Sequence, residues 1–299
     1  KHNIKVRSWS MDFFNQLING ISIGSIYALV ALGYTMVYGI VKLINFAHGD
    51  IIMIGSYFIL IFTKSIGMPF WLSVIASMLF CAIFGILIEK IAYKPLRKAP
   101  RISALITAIG VSIFLQNVVT LIKADPVPFP SILSGSFRIL GTDVGYINIV
   151  TIIVSFGLMI ILTLFVKYTK AGKAMRAVSE DEGASTLMGI NVNNTIALTF
   201  AIGSALAAVG GGLYGISYKL IEPTIGSMFG LKAFIAAVIG GIGTIPGAVI
   251  GGLIMGLVET FTKAYISTNL TDVIVFAVLI LILLFKPSGL LGKNVREKV

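Results

Sequence analysis

Four residues that can donate, accept or carry a proton, Lys42, Asn45, His48 and Asp50, stand inside "GIVKLINFAHGDIIMIG" (39–55), a run otherwise almost wholly apolar. An imidazole and a carboxylate this close can hydrogen-bond a polar solute, titrate, or hold the backbone groups freed at a helix break. Against lipid each ionisable group would cost ~3 kcal/mol or more, so the group must face a cavity, another helix or an interface. Two readings follow. In one, Asn45, His48 and Asp50 belong to a translocation path or gate. In the other they form a short loop at the membrane surface, with Lys42 and His48 near headgroups and Asn45 and Asp50 capping the next helix, where a carboxylate suits the helix dipole.

Two further segments carry unusual residues. "GGIGTIPGAVIGG" (240–252) brings Gly240, Gly241, Gly243 and Pro246 together with Thr244 in an apolar setting. Glycine permits close helix approach and proline removes a backbone donor, so the freed groups need partners in protein or in a water-lined cavity. It is a candidate gate, with tight packing as the plainer account. Between residues 167 and 192 a basic stretch ending at Arg176 leads into Glu180, Asp181 and Glu182, then Gly183, Ala184, Leu187, Met188 and Gly189. This order reads as one short amphipathic helix suited to a groove on a partner protein.

Enzyme chemistry finds no support in the residues. The histidines are His2 and His48 alone, metal-ligand spacing is absent, and no serine has a paired base. No G-x-x-x-x-G-K-[ST] occurs, and "GLLGKN" near the C-terminus has the wrong spacing, so the chain is expected to hydrolyse no ATP and to bind no cofactor itself. A proton- or sodium-driven carrier would place carboxylates along its passage, whereas Asp50, Glu89, Glu222 and Glu259 are few and mostly near span ends.

The elements that must position these residues are membrane helices. Hydrophobic residues make up 57% of the 299, charged ones 12%, and the mean hydropathy is +0.99. A bilayer core of ~30 Å needs ~20 mostly apolar residues per helix. Runs of that kind cover 13–41, 44–62, 70–88, 102–122, 147–166, 195–216, 229–242, 247–261 and 271–285, giving an all-α, polytopic fold of eight or nine segments, some short or broken. The net charge of +11 sorts by loop rather than marking a nucleic-acid surface. Basic residues crowd 90–101, 167–176 and 286–298, which are assigned to the cytoplasm, and the proline-rich loop "ADPVPFPSILSGSFRILGTDVGYIN" is assigned to the outside. Cys81 lies alone in an apolar run. Residues 1–10 precede Met11, which resembles a start, and are set aside as an upstream or expression-derived segment, leaving 11–299 as a single transmembrane domain.

"GSIYALVALGYTMVYGI" from Gly24 aligns without gaps on "GSMFGLKAFIAAVIGGI" from Gly226, and each copy runs into a helix-breaking stretch. This is a candidate parallel repeat, with chance similarity between apolar segments as the alternative, and it would bring two broken helices together around a central passage.

"GYTMVYGIVKLINFAHGDIIMIGSYF", "AGKAMRAVSEDEGASTLMGIN" and "GLKAFIAAVIGGIGTIPGAVIGGLIMGLVE" together resemble the permease subunits of bacterial branched-chain amino-acid ABC importers, the LivH type. The resemblance implies a multi-pass inner-membrane subunit surrounded by lipid. Its partners would be a second, LivM-like permease, two cytoplasmic LivG-like and LivF-like subunits that use ATP, and a periplasmic amino-acid-binding protein. It also places the ABC coupling helix at 167–192, where Glu182, Gly183, Ala184 and Gly189 match the E-A-A-x-x-x-G pattern loosely, with the glycine one residue late. Relatives that carry urea, short amides or other amino acids, and a stand-alone carrier or channel, stay open as alternatives, as does a membrane receptor.

Overall fold

The computed structural model describes residues 2–97, 99–139 and 142–292. Nine helices answer to the nine apolar runs. They are α1 (His2–Val41), α2 (His48–Lys64), α3 (Phe70–Ile88), α4 (Arg101–Ile122), α5 (Tyr146–Tyr168), α8 (Val192–Tyr218), α9 (Ile225–Gly240), α10 (Ile245–Tyr265) and α11 (Thr271–Phe285). Between α5 and α8 lie the short helices α6 (Lys170–Glu180) and α7 (Glu182–Leu187). Seven spans are long and apolar enough to cross a bilayer, while α2 has 17 residues and α9 has 16. At ~1.5 Å per residue those two reach only ~25 Å, short of the apolar core, so each ends within the membrane unless other chain completes it. The segment set aside at the N-terminus continues α1, which starts at His2.

Helix α1 is the central column, packed on α10, α8, α5 and α9, and every residue from Ile26 to Leu32 is buried. Helices α4 and α11 are peripheral and show rows of exposed side chains, Ile106, Ile109 and Ile113 on one and Ile280, Leu281 and Leu284 on the other. Apolar rows facing outward on helices of this hydropathy mark lipid or partner-helix contacts. Glycines set the tightest approaches. Gly20 and Gly24 of α1 lie against Gly256, Leu257 and Leu253 of the antiparallel α10, so two small-xxx-small pairs, the second being Gly252 and Gly256, face each other. The "VGGGLYG" cluster is likewise packing: Gly210 meets Val30, Gly211 meets Ile52 and Ser56 of α2, Gly212 meets Ile59, and Gly215 meets Phe129.

Helix α3 does not simply stop. It passes into a π turn (Glu89–Tyr93) and a 3₁₀ turn (Lys94–Leu96) containing Pro95, whose missing N–H cannot continue the α ladder. The proline-rich outer loop contains β1 (Val127–Pro128), β2 (Ser136–Ile139) and β3 (Thr142–Gly145). β2 pairs antiparallel with β3, and β1 pairs with β4 (Leu220–Ile221), which follows α8. Lys64 at the end of α2 donates to the Pro128 carbonyl at 2.8 Å, so these pieces share one end of the bundle. At the other end Arg97 donates to Asn193 Oδ1 at 2.7 Å, and Leu290 and Leu291 donate to the Ile239 and Gly240 carbonyls at 2.8 Å. The structure thus separates the ends as the basic-residue count does, with Lys94, Arg97, Lys167, Arg176 and Lys286 on one side and Lys64, Lys123, Lys219 and Lys263 on the other.

Candidate translocation and coupling sites

Val41 ends α1, Lys42 turns the chain through a left-handed φ of 56°, and α2 starts at His48. Of the four polar residues in this stretch only Lys42 is exposed, whereas Asn45, His48 and Asp50 are at most 2% exposed. The surface-loop reading therefore fails for His48, and neither Asn45 nor Asp50 caps α2. The N-cap is Ala47, which makes no side-chain cap bond. Instead each buried group reaches a different helix. Asn45 Oδ1 accepts from the Tyr93 hydroxyl at 2.8 Å, tying the break to the π turn after α3. His48 lies edge-on to Tyr34 at 4.6 Å in a space that exists because Gly33 has no side chain, with Gly203 of α8 behind it. Asp50 Oδ1 accepts from Gln116 Nε2 of α4 at 2.8 Å.

Asp50 also sits in the first turn of α2 and beside the first turn of α9. A Cβ on Gly226 would lie 2.6 Å from Asp50 Oδ1 and 2.8 Å from its Cα, and one on Gly230 would meet the Gly49 backbone. Two short helices thus cross at their N-terminal turns with a carboxylate between them, where both helix dipoles favour negative charge. Sequence reasoning missed Tyr93 and Gln116, because hydrogen-bond partners so far along the chain leave no local pattern.

The second break holds Gly240, Gly241, Gly243 and Pro246. Gly241 and Gly243 have φ of +107° and +94°, a half of backbone space that side chains disfavour. Thr244 closes the turn, its hydroxyl donating to the Gly241 carbonyl at 2.9 Å. Pro246 occupies the opening turn of α10, where no N–H is needed. The carbonyls freed at the end of α9 are taken by Leu290 and Leu291, so the chain after α11 completes this helix end. The two breaks approach each other only at the end of α1, where a Cβ on Gly39 would lie 3.6 Å from Gly243 Cα. The Asp50 junction is at the start of α9 and the glycine–proline break is at its end.

This break instead adjoins the short cytoplasmic helices. A cleft of ≈ 110 Å³ is lined by Gly39 of α1, Met175, Arg176 and Ser179 of α6, and Gly243 and Ile245. Thr169 caps α6 by accepting from Gly172 N at 3.0 Å, and Met175 and Val178 are buried beneath it. The expected single amphipathic helix is two helices, split at Asp181, which caps α7 by accepting from Ala184 N at 2.8 Å. Gly189 ends α7 with φ of +81°. Glu180, Glu182, Gly183 and Ala184 are exposed, and Leu187 and Met188 are 90% and 82% exposed, two large apolar side chains pointing away from the bundle on its basic side.

Replacement at the break separates space from strain. A side chain at Gly241 would meet the Gly292 backbone at 2.7 Å and at closer range, whereas the nearest atoms at Gly243 are 3.8 Å or more away. Gly241→Leu is expected to abolish uptake, while Gly243→Ala, which carries only a backbone penalty of ~1–2 kcal/mol, retains part of it. Solute uptake alongside the amount of chain in the membrane checks this, and normal uptake with leucine at both positions would show the break to be packing alone.

Seven full spans, two short helices crossing at a buried polar junction, and a surface helix pair on the basic side define a multi-pass membrane permease. The chain belongs to the family described as branched-chain amino acid transport system / permease component, which matches residues 16–283. It is 47% identical over 301 aligned positions, 96% of this chain and 98% of the relative, to the high-affinity branched-chain amino acid transport system permease protein LivH of Salmonella typhimurium. The LivH protein of Escherichia coli strain K12 matches equally, at 47% over the same shares of both chains, and BraD of Pseudomonas aeruginosa is 46% identical over 96% of this chain and 98% of its own.

Proposed function

We infer that this chain, as a single permease domain over 11–299, moves branched-chain amino acids across the inner membrane into the cytoplasm as half of a permease pair with a LivM-like subunit. LivG-like and LivF-like ATPases drive it and a periplasmic amino-acid-binding protein supplies it. The chain itself binds no cofactor and hydrolyses no ATP, which is used by the partners. The observation that carries the reading is the cleft that α6 lines together with Gly243 and Ile245 of the turn between α9 and α10, with α7, which follows α6, ending in the exposed Leu187 and Met188. A motor can bias a conformational equilibrium only if it binds two states differently. A platform on α7 joined through α6 to a helix break supplies that link. Asn45, His48 and Asp50 are assigned to the moving junction, and Gly240, Gly241, Gly243 and Pro246 to the gate. Arg176 through Gly189 form the motor dock, with Asp181 as its internal cap.

Glu180→Lys with Leu187→Ala and Met188→Ala is expected to leave membrane insertion intact and to release the ATPases or uncouple hydrolysis from uptake, since apolar anchors at an interface centre often contribute more than ~1 kcal/mol each. Asp181 belongs in this test only as Asp181→Asn, which keeps the α7 cap. Unchanged co-purification and transport in the triple variant would place the motor elsewhere. The substrate is tested by ATP-dependent uptake of labelled leucine in vesicles holding the full assembly, with isoleucine, valine and urea as competitors. Competition by urea and not by valine would reassign the solute.

A further inference from the structure

We propose that the cleft at the outer end of α1, α8, α9 and α10 receives the charged head of an α-amino acid, with Glu222 taking the ammonium group and Lys232 the carboxylate. The inference rests on the transport reading and adds to it a place for the solute on this chain. The cleft encloses ≈ 370 Å³, and small-molecule sites begin at roughly 300 Å³. Glu222 lies just beyond β4, is half-buried, and has no ion-pair partner among the described residues. Beside it stand Tyr214 and Tyr218, stacked at 4.4 Å, with Phe229 edge-on to Tyr214 at 4.7 Å. A free carboxylate next to aromatic rings holds an ammonium group by charge and by the ring quadrupole together.

The opposite wall supplies the cation. Glu259, 1% exposed, is saturated, accepting from the Tyr27 hydroxyl at 2.6 Å and pairing with Lys263 at 2.5 Å. Lys232 on α9 is 3.6 Å from Glu259 and 2.8 Å from Asp272 of α11. The Asp272 side chain is 47% exposed, so this second pair is screened by water and weakly held. An arriving carboxylate can replace Asp272 on Lys232, and Asp272 then returns to solvent without leaving a buried charge uncompensated. Glu259 cannot be displaced so cheaply, because it holds two other groups and is buried. The cleft therefore offers one unpaired anion and one cation with an exchangeable partner, the complement of a zwitterion, and Ile225, Met228 and Phe229 line it for an aliphatic side chain.

The test uses the full importer in membrane vesicles, with radiolabelled leucine for uptake and a diazirine-bearing leucine for photolabelling. Label is expected on the peptides carrying Tyr214, Tyr218 or Met228. Excess leucine should suppress it, and neither 4-methylpentanoate nor isoamylamine should at the same concentration, since each lacks one of the two charges. Glu222→Gln is expected to lower labelling and uptake about tenfold while the chain still co-purifies with its partners, and Glu222→Asp should recover part of both. Asp272→Asn removes the competitor for Lys232 and should raise labelling. Wild-type labelling and uptake in Glu222→Gln, or label falling outside the cleft, would overturn the proposal while leaving leucine transport standing. A wild-type importer that moved no leucine at all would overturn the transport reading itself.

Discussion

Gly252→Leu is expected to remove the folded protein from the membrane. Across the seam of α1 and α10, a Cβ on Gly24 would lie 2.9 Å from Leu253 Cα and 3.0 Å from the Gly252 carbonyl, and a Cβ on Gly252 would fall on the backbone of Ala28. The obstructing atoms are main chain, so no rotamer change relieves the overlap. Helix α1 would have to shift as a whole, although it is packed on four other helices. Overpacking a core commonly costs ~1–3 kcal/mol where side chains can adjust, and more is expected where a central helix must move. Gly252→Ala should lie in between. Gly110→Leu and Gly157→Leu are the controls, since nothing lies within 4 Å of a Cβ at either position. Size-exclusion profiles and Tm of the detergent-solubilised protein provide the measure, and a monodisperse Gly252→Leu protein with wild-type Tm would show that the seam is not closed in the way described.

Arg97→Met is expected to cost ~3–5 kcal/mol, because it leaves Glu89 as an uncompensated buried carboxylate. The Glu89 side chain is 1% exposed in the π turn after α3, and Arg97 both pairs with it and donates to Asn193 Oδ1 at the start of α8 at 2.7 Å. That loss is comparable with the whole ~5–15 kcal/mol stability of a typical domain. The same reasoning predicts that Glu89→Leu combined with Arg97→Met is more stable than Arg97→Met alone, since removing both charges removes the desolvation penalty. Thermal unfolding of the two variants decides the matter. A double variant less stable than the single one would mean that the Glu89 side chain is held by groups other than Arg97, since both variants lack the Asn193 contact.

Several boundaries were legible because their causes are local. Pro69 precedes Phe70 at the start of α3 and Pro100 precedes Arg101 at the start of α4, and each proline serves as the N-cap that the apolar run implied. The split at Asp181 was also written in the chain, as an aspartate three residues ahead of the Ala184 amide it caps, yet it was obscured by reading three acidic residues as one charged face. The pairing of Val127 with Ile221 had no such trace. Strands of two residues carry no periodicity, and their partners lie far apart along the chain. Lys232 likewise stands alone among apolar residues along the chain, and only the fold brings Glu259 and Asp272 to it.

The sequence by itself determined that this protein is a helical, polytopic membrane protein, how its spans are placed and which end carries the basic loops, because the costs of burying peptide groups and charges in lipid are set residue by residue over a fixed thickness. It did not determine where the buried polar groups find their partners. Asn45 needed Tyr93, Asp50 needed Gln116 and the glycines of α9, and Glu259 needed Tyr27 and two lysines. Tertiary packing alone settled those pairings, since a polar group in an apolar bundle must be satisfied by whatever helix stands beside it, and neighbourhood there follows from helix crossings rather than from distance along the chain.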